Sequence, residues 1–141
     1  MKRTVSRIKA MMKLYNYDLV KDLLDDSYLS KVFNEEEIVE CDEDFYHKLV
    51  YGVLENKSKI DKTIAISLKN YTFDRLSYVD RNLLRIAVYE MLYTDTPKNI
   101  IIDEVLNISH EYSETDDMNT AKFNNSLLDN IVKRLNNNNG K

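Results

Sequence analysis

The residues of this chain that could act on a polyanion are cations at helical spacing. Lys2, Arg3, Arg7 and Lys9 open the sequence, Lys13 follows, and no acid falls within residues 1–17. That segment carries +5 in a chain of net charge −4, which leaves −9 for the remainder. Lys122 and Phe123 place a cation beside a ring at the start of the last apolar-periodic segment. Single-stranded RNA is held by a positive groove with rings on which bases stack, and a helix N-terminus adds a favourable field for phosphate. Lys2, Arg3, Arg7, Lys9, Lys122 and Phe123 are therefore the residues that could bind RNA if the anionic partner is RNA, with solvated helix faces an equally open reading of the charge and a core role equally open to Phe123.

A second pattern lies in RNLLRIAVYEML, residues 81–92, where Arg81 and Arg85 stand four apart along the edge of an apolar helix. An arginine there can bury its stem and give its guanidinium to a carboxylate on a neighbouring helix. Arg85 is read in that structural role, with Glu104 as the expected partner. Arg81, in the first turn, is expected to be exposed. Gly52 lies inside another helix, where glycine costs about 1 kcal/mol relative to alanine; close approach of a neighbouring helix would offset that cost.

The residue types for covalent or metal chemistry are not arranged for it. The only glycines are Gly52 and Gly140, so there is no phosphate-binding glycine loop. Cys41, His47 and His110 lack the paired spacings of metal sites, and no nucleophile–base–acid set stands out. No enzyme activity, metal or cofactor is expected.

The elements that would position these residues are helical. Two glycines and one proline in 141 residues are too few for a turn-rich β fold. Val5, Ile8, Met12, Tyr15 and Leu19 mark one face of a first helix, with the basic residues on its solvent side. A second helix is expected over Leu23 to Phe33. The acidic run 35–44 reads as a loop into a third helix bearing Phe45, Leu49 and Val53. Ile60, Ile64, Ile66 and Leu68 mark a fourth, and NYTFDRLS at 70–77 a break with one short turn. Ser77 and Asp80 form a capping box, so the next helix begins near Tyr78. Asp95, Thr96 and Pro97 separate it from one carrying Ile101, Ile102, Val105, Leu106 and Ile108. Residues 113–120 read as a polar loop before Phe123, Leu127, Leu128, Ile131, Val132 and Leu135. One domain, 1–135, is expected, with a disordered tail at 136–141. No apolar run approaches 18 residues and no signal peptide is evident, so a cytoplasmic location is expected.

LKNYTFDRLSYVDRNLLRIAVYEML, residues 68–92, resembles the core signature of the NusB family of bacterial transcription antitermination factors. SRIKAMMKLYNYDL at 6–19, FYHKLVYGVLENKSKID at 45–61, TPKNIIIDEVLNIS at 96–109 and KFNNSLLDNI at 122–131 resemble further family blocks in the same order. Asn124 and Ser126 depart from the Val and Gly usual there. The resemblance implies an all-α fold of about seven helices in two packed sub-bundles and a non-catalytic role. It implies pairing with the small-subunit ribosomal protein NusE, binding to a single-stranded boxA element in nascent RNA, and action within the transcription elongation complex, notably on ribosomal RNA operons. It places Tyr15 and Asp80 on the protein-partner surface, with burial of Tyr15 in the fold as the alternative. Some family members homodimerise. Two other readings stay open: a helical module that homodimerises without binding RNA, and a stand-alone relative of the N-terminal domain of an rRNA cytosine methyltransferase.

Overall fold

The computed structural model describes residues 2–21, 41–68, 72–112 and 118–139. All regular structure in them is helical. The elements are α1 (Lys2–Val20), α2 (Glu43–Glu55), α3 (Lys57–Ser67), a 3-10 turn (Phe73–Arg75), α4 (Tyr78–Tyr93), α5 (Lys98–Tyr112) and α6 (Met118–Asn139). The helix expected over 23–33 lies outside the described residues.

The ends of these helices follow from local chemistry. Asp42 caps α2 by accepting from the Phe45 amide at 3.0 Å, so Glu43 and Asp44 are helical and favourably placed at a positive helix end. The acidic loop expected over 35–44 therefore stops short of Glu43. Ser77 caps α4 by accepting from the Asp80 amide at 3.1 Å, and α4 starts at Tyr78 as expected. The last helix starts at Met118, earlier than the loop expected to run to 120, and continues to Asn139. Four asparagines lower helix propensity but do not stop a helix, and the first stop signal is Gly140. Residues 136–139 thus lie within the bounds of α6.

α4 is the central helix. It packs against each of the other five helices, α1, α2, α3, α5 and α6. Its residues from Leu83 to Met91 are all buried. Ile101, Val105 and Ile108 of α5 and Leu127, Leu128 and Ile131 of α6 close the core on the far side. Ile60 and Ile64 of α3 are buried as their spacing requires, whereas Ile66 is exposed.

α1 departs most from its expected orientation. It packs against α2 and α4 together, so its inner surface is wider than one apolar stripe. Arg7, Ala10, Met11, Leu14 and Asp18 form its buried centre, while Leu19 is half exposed. The apolar periodicity located an edge of that face and left its polar members on the wrong side.

Gly52 faces α4. A Cβ at this position would overlap the ring of Tyr89, and Tyr89 is itself buried. Gly52→Ala gains about 1 kcal/mol of helix propensity and loses about 1–3 kcal/mol through overpacking. A net loss of stability is expected in urea melts. A more stable variant would show that the ring moves aside at no cost.

Candidate functional site

The sequence-derived cations separate into two groups once their partners are known. Lys2 and Arg3 are exposed on the first turn of α1. The Arg3 guanidinium lies 4.3 Å from the centre of the Phe45 ring. Both Arg3 and Phe45 line an open cavity of about 740 Å³ between α1, α2 and the start of α5, with Lys48, Asp95, Thr96 and Ile100.

Arg7 and Lys9 are not on the solvent side of α1. Arg7 is 2% exposed. Its Nε and Nη2 donate to the two carboxylate oxygens of Glu90 at 2.8 and 2.7 Å. Its Nη1 donates to Glu104 at 3.2 Å. Lys9 is 1% exposed, and its Nζ donates to Glu43 at 2.7 Å. Burial pulls the Lys9 ammonium down, but the Glu43 hydrogen bond and the neighbouring Cys41 outweigh it, so its pKa stands above the ordinary 10.5. Both cations are paired within the fold, and their expected place on the solvent side of α1 is corrected to a buried, ion-paired one.

Arg85 is likewise buried, but not against Glu104. Its Nε and Nη2 donate to both oxygens of Asp61 at 2.8 and 3.0 Å. Its Nη1 donates to Asp18 at 2.9 Å and to the Asn82 side-chain oxygen at 2.9 Å. Glu104 instead accepts from Thr4 and Arg7. The pairing expected for Arg85 fails because Arg85 sits midway along α4, about two turns from its start, whereas Glu104 meets Arg7 beside Glu90, nearer the C-terminal end of α4. Arg81 is half-buried: its Nη2 donates to the Asp74 and Leu76 carbonyls, and its guanidinium lies 5.0 Å from the Phe73 and Tyr78 rings.

The two residues expected on a partner surface lie at different depths. Tyr15 is half-buried and meets Tyr78 edge-on, with centroids 5.9 Å apart. Asp80 is 5% exposed. Its Oδ1 accepts from Ser109 at 2.8 Å and from Asn124 at 3.4 Å, and its Oδ2 from Ser77 at 3.1 Å. Asp80 ties α4 to α5 and α6 from inside, so its expected surface position is corrected to a buried one.

Lys122 is exposed, one turn inside α6 and not at its first turn, because the helix begins at Met118. Phe123 is half-buried against the core. It lines a recess of about 140 Å³ with Ser67, Leu68, Ser126, Leu127 and Asn130. Lys2 and Arg3 are not brought beside this pair: α1 packs on α2 and α4, whereas α6 packs on α5 and α3. His47 is exposed, 3.7 Å from Glu43, and Cys41 is buried beside the Ser6 hydroxyl. Among the described residues no group of three His, Cys, Asp or Glu could hold a metal ion, and no helix is long and apolar enough to cross a membrane.

Sequence reasoning missed Asp18, Glu43, Asp61 and Glu90, the carboxylates that neutralise the buried cations. Glu90 carried a usable signal. It interrupts an otherwise apolar inner face between Tyr89 and Met91, and a carboxylate there is almost never left unpaired.

Fold and site define an all-helical protein in which, among the described residues, the buried cations Arg7, Lys9 and Arg85 are paired with its own carboxylates and Lys2, Arg3 and Lys122 lie exposed at helix surfaces. The NusB family matches residues 4–133. The chain is 38% identical to the transcription antitermination protein NusB of Bacillus licheniformis over 96% of its own length and 99% of the relative's. It is 36% identical to the protein of that name from Shouchella clausii, over 92% and 93%. Among solved structures, NusB of T. maritima superposes with a TM-score of 0.74 at 31% identity, covering 94% of this chain and 92% of that one. A NusB in a complex of antitermination factors NusB and NusE with dsRNA superposes with a TM-score of 0.75 at 27% identity, covering 94% and 97%. The chain belongs to the NusB family.

Two predictions follow from the paired cations. Arg85→Ala and Arg7→Ala each strand buried carboxylates, and each is expected to lose about 3–5 kcal/mol in denaturant unfolding. A variant that unfolds at the wild-type midpoint would remove that arginine from the framework.

The alkaline side is the second. Burial, then the charge of Glu55, raises the Tyr89 pKa above 10.0, as Glu43 and Cys41 raise that of Lys9. Both groups hold their protons more tightly folded than unfolded, so their contribution is complete below about pH 10 and is lost as pH rises through the folded values. Urea midpoints should fall between about pH 9 and pH 11. Tyr89→Phe and Lys9→Met should each flatten that fall, and unchanged slopes in both would contradict the assignment.

Proposed function

We propose that this protein is an RNA-binding transcription antitermination factor that acts with the ribosomal protein NusE on single-stranded boxA-type RNA within the transcription elongation complex, notably during ribosomal RNA synthesis, in the cytoplasm. The observation that supports the reading is the likeness, over nearly the whole of both chains, to a NusB solved together with NusE and dsRNA; the single-stranded boxA target is what the family resemblance implies. Family membership supports it. The chain's part is to present cations and rings on a rigid helical frame; no reaction is assigned to it.

On this reading the RNA-contacting residues are the exposed members of the sequence-derived set. Lys2 and Arg3 give charge at the free end of α1, with Phe45 beneath the Arg3 guanidinium. Lys122 and Phe123 give charge and a ring on α6. Tyr15 and its neighbour Tyr78, which is 39% exposed, form the accessible part of the protein-partner surface, and Asp80 supports that surface from below through the start of α4.

Three phosphate contacts, by Lys2, Arg3 and Lys122, should give log affinity against log salt a slope of about −2 for a single strand. Raising salt from about 50 to 200 mM should weaken binding roughly twentyfold. Replacing Lys2 and Arg3 together by Ala should remove about 1.4 of that slope and weaken all sequences alike. The measurement is fluorescence anisotropy of labelled boxA-type RNA with and without NusE. RNA binding that never appears, even with NusE present, would favour a homodimerising interaction module.

A further inference from the structure

The outer face of α3 carries an exposed stripe of two cations and one aliphatic side chain. Lys59, Lys62 and Ile66 are exposed, and their spacing of three and four residues places them on one side of the helix over about 10 Å. Ile60 and Ile64 already serve the core from the other side. Ile66 is 51% exposed, although isoleucine is among the residue types most often buried.

Arg134 of α6 stands beside Ile66. Its Nη2 donates to the Ile66 carbonyl at 2.9 Å, which holds the guanidinium at the C-terminal end of α3, where a cation is favoured. That bond uses one of the five N–H groups of an exposed side chain. Among the described residues, Lys59, Lys62 and Arg134 have no carboxylate partner. α3 and α6 together carry six cations (Lys57, Lys59, Lys62, Lys122, Lys133 and Arg134) against two acids, Asp61 and Asp129. Asp61 is spent on Arg85, which leaves Asp129 as the exposed acid of the pair. This face is therefore positive in a chain of net charge −4.

The stripe lacks what single-stranded RNA requires, an open ring on which a base can stack. The ring beside it, Tyr93, already has the Lys59 ammonium 5.8 Å from its centre, and the exposed apolar group is aliphatic. An aliphatic anchor ringed by unpaired cations matches instead a protein segment whose carboxylates flank aliphatic side chains. The apolar contact at the centre then supplies affinity, and the surrounding charges supply orientation and encounter rate.

We infer that the outer α3–α6 face docks an acidic amphipathic segment of a partner protein. An aliphatic side chain of that segment packs on Ile66, and its carboxylates meet Lys59 and Lys62 along α3 and Arg134 across the helix boundary. The surface shares no residue with the sets assigned above to RNA and to NusE, so the inference stands or falls separately from that reading.

The probe is a labelled synthetic helix-forming peptide with leucine at i, i+3, i+4 and i+7 and glutamate between; the control peptide carries lysine in place of each glutamate. Binding is read by fluorescence anisotropy for the wild type, Ile66→Ser, Arg134→Glu and the double variant Lys59→Glu with Lys62→Glu. All of these side chains are exposed, and unchanged melting curves confirm that the variants fold. The wild type is expected to bind the glutamate peptide and not the lysine peptide. Ile66→Ser should weaken binding about tenfold and keep its salt dependence. The charge reversals should each weaken it about tenfold or more and flatten the salt dependence. A wild type that does not bind the glutamate peptide overturns the inference, as does wild-type affinity in Ile66→Ser or in both charge-reversed proteins. Labelled oligouridine is the remaining arm: unchanged oligouridine binding by Ile66→Ser supports a protein-docking face, whereas its loss assigns the face to RNA and overturns the proposal.

Discussion

Two buried arginines on opposite ends of an antiparallel helix pair govern this structure. α1 gives Arg7 to Glu90 of α4 and receives Arg85 of α4 on its own Asp18. The two pairs cross, so neither helix can shift along the other without breaking one of them. Each arginine also reaches a third helix, Arg7 to Glu104 on α5 and Arg85 to Asp61 on α3. A charge taken from water costs several kcal/mol unless it is paired and its remaining hydrogens are satisfied. Both arginines meet that condition, with Asn82 completing the Arg85 shell. Such pairs add little net stability over an apolar filling. A slip of α1 along α4 would break both pairs, whereas apolar contact alone is less sensitive to register.

This constraint decides which cations remain for a polyanion. The +5 of the first seventeen residues looks like a basic arm, yet Arg7 and Lys9 are consumed inside the fold. The cations left exposed include Lys2 and Arg3 at the tip of α1 and the lysines on the outer faces of α3 and α6. Pairing Asp61 inward with Arg85 has the same consequence from the other direction. It withdraws an acid from α3 and leaves that helix more positive outside than its sequence indicates.

Element order and type were legible because each helix carries strong local signals. Ser77 with Asp80 set the start of α4 to the residue, and Ile101, Val105 and Ile108 set the inner face of α5. The resemblance to the NusB family was legible at RNLLRIAVYEML and is upheld by the family match. What was not legible was the orientation of α1 and the partner of each buried charge. Periodicity weighs apolar residues only, so a face centred on Arg7, Leu14 and Asp18 is assigned to solvent by default. Partner choice depends on which ends of distant helices meet, and α1 meets α4 head to tail; no local pattern encodes that. The Phe123 recess was half legible: the ring stood out, but Ser67 and Leu68 reach it from another helix.

The two departures from the resembled motif on α6 divide by direction. Asn124 points inward, 3% exposed, where the motif usually has Val. There it donates to Asp80 and to the Ser109 hydroxyl at 3.3 Å, while its own side-chain oxygen has no hydrogen-bond partner. An unpartnered buried acceptor costs about 1–3 kcal/mol. A valine would avoid that cost but leave the buried Asp80 carboxylate with one donor fewer, so the two effects oppose each other. Ser126 points outward, where the motif usually has Gly, and lines the recess. It adds a hydroxyl to the rim, and replacing glycine inside a helix favours α6 by up to about 1 kcal/mol. Asn124 thus pins α6 to α4 and α5 from within, and that anchoring holds the Phe123, Ser126 and Asn130 face at a fixed distance from α3.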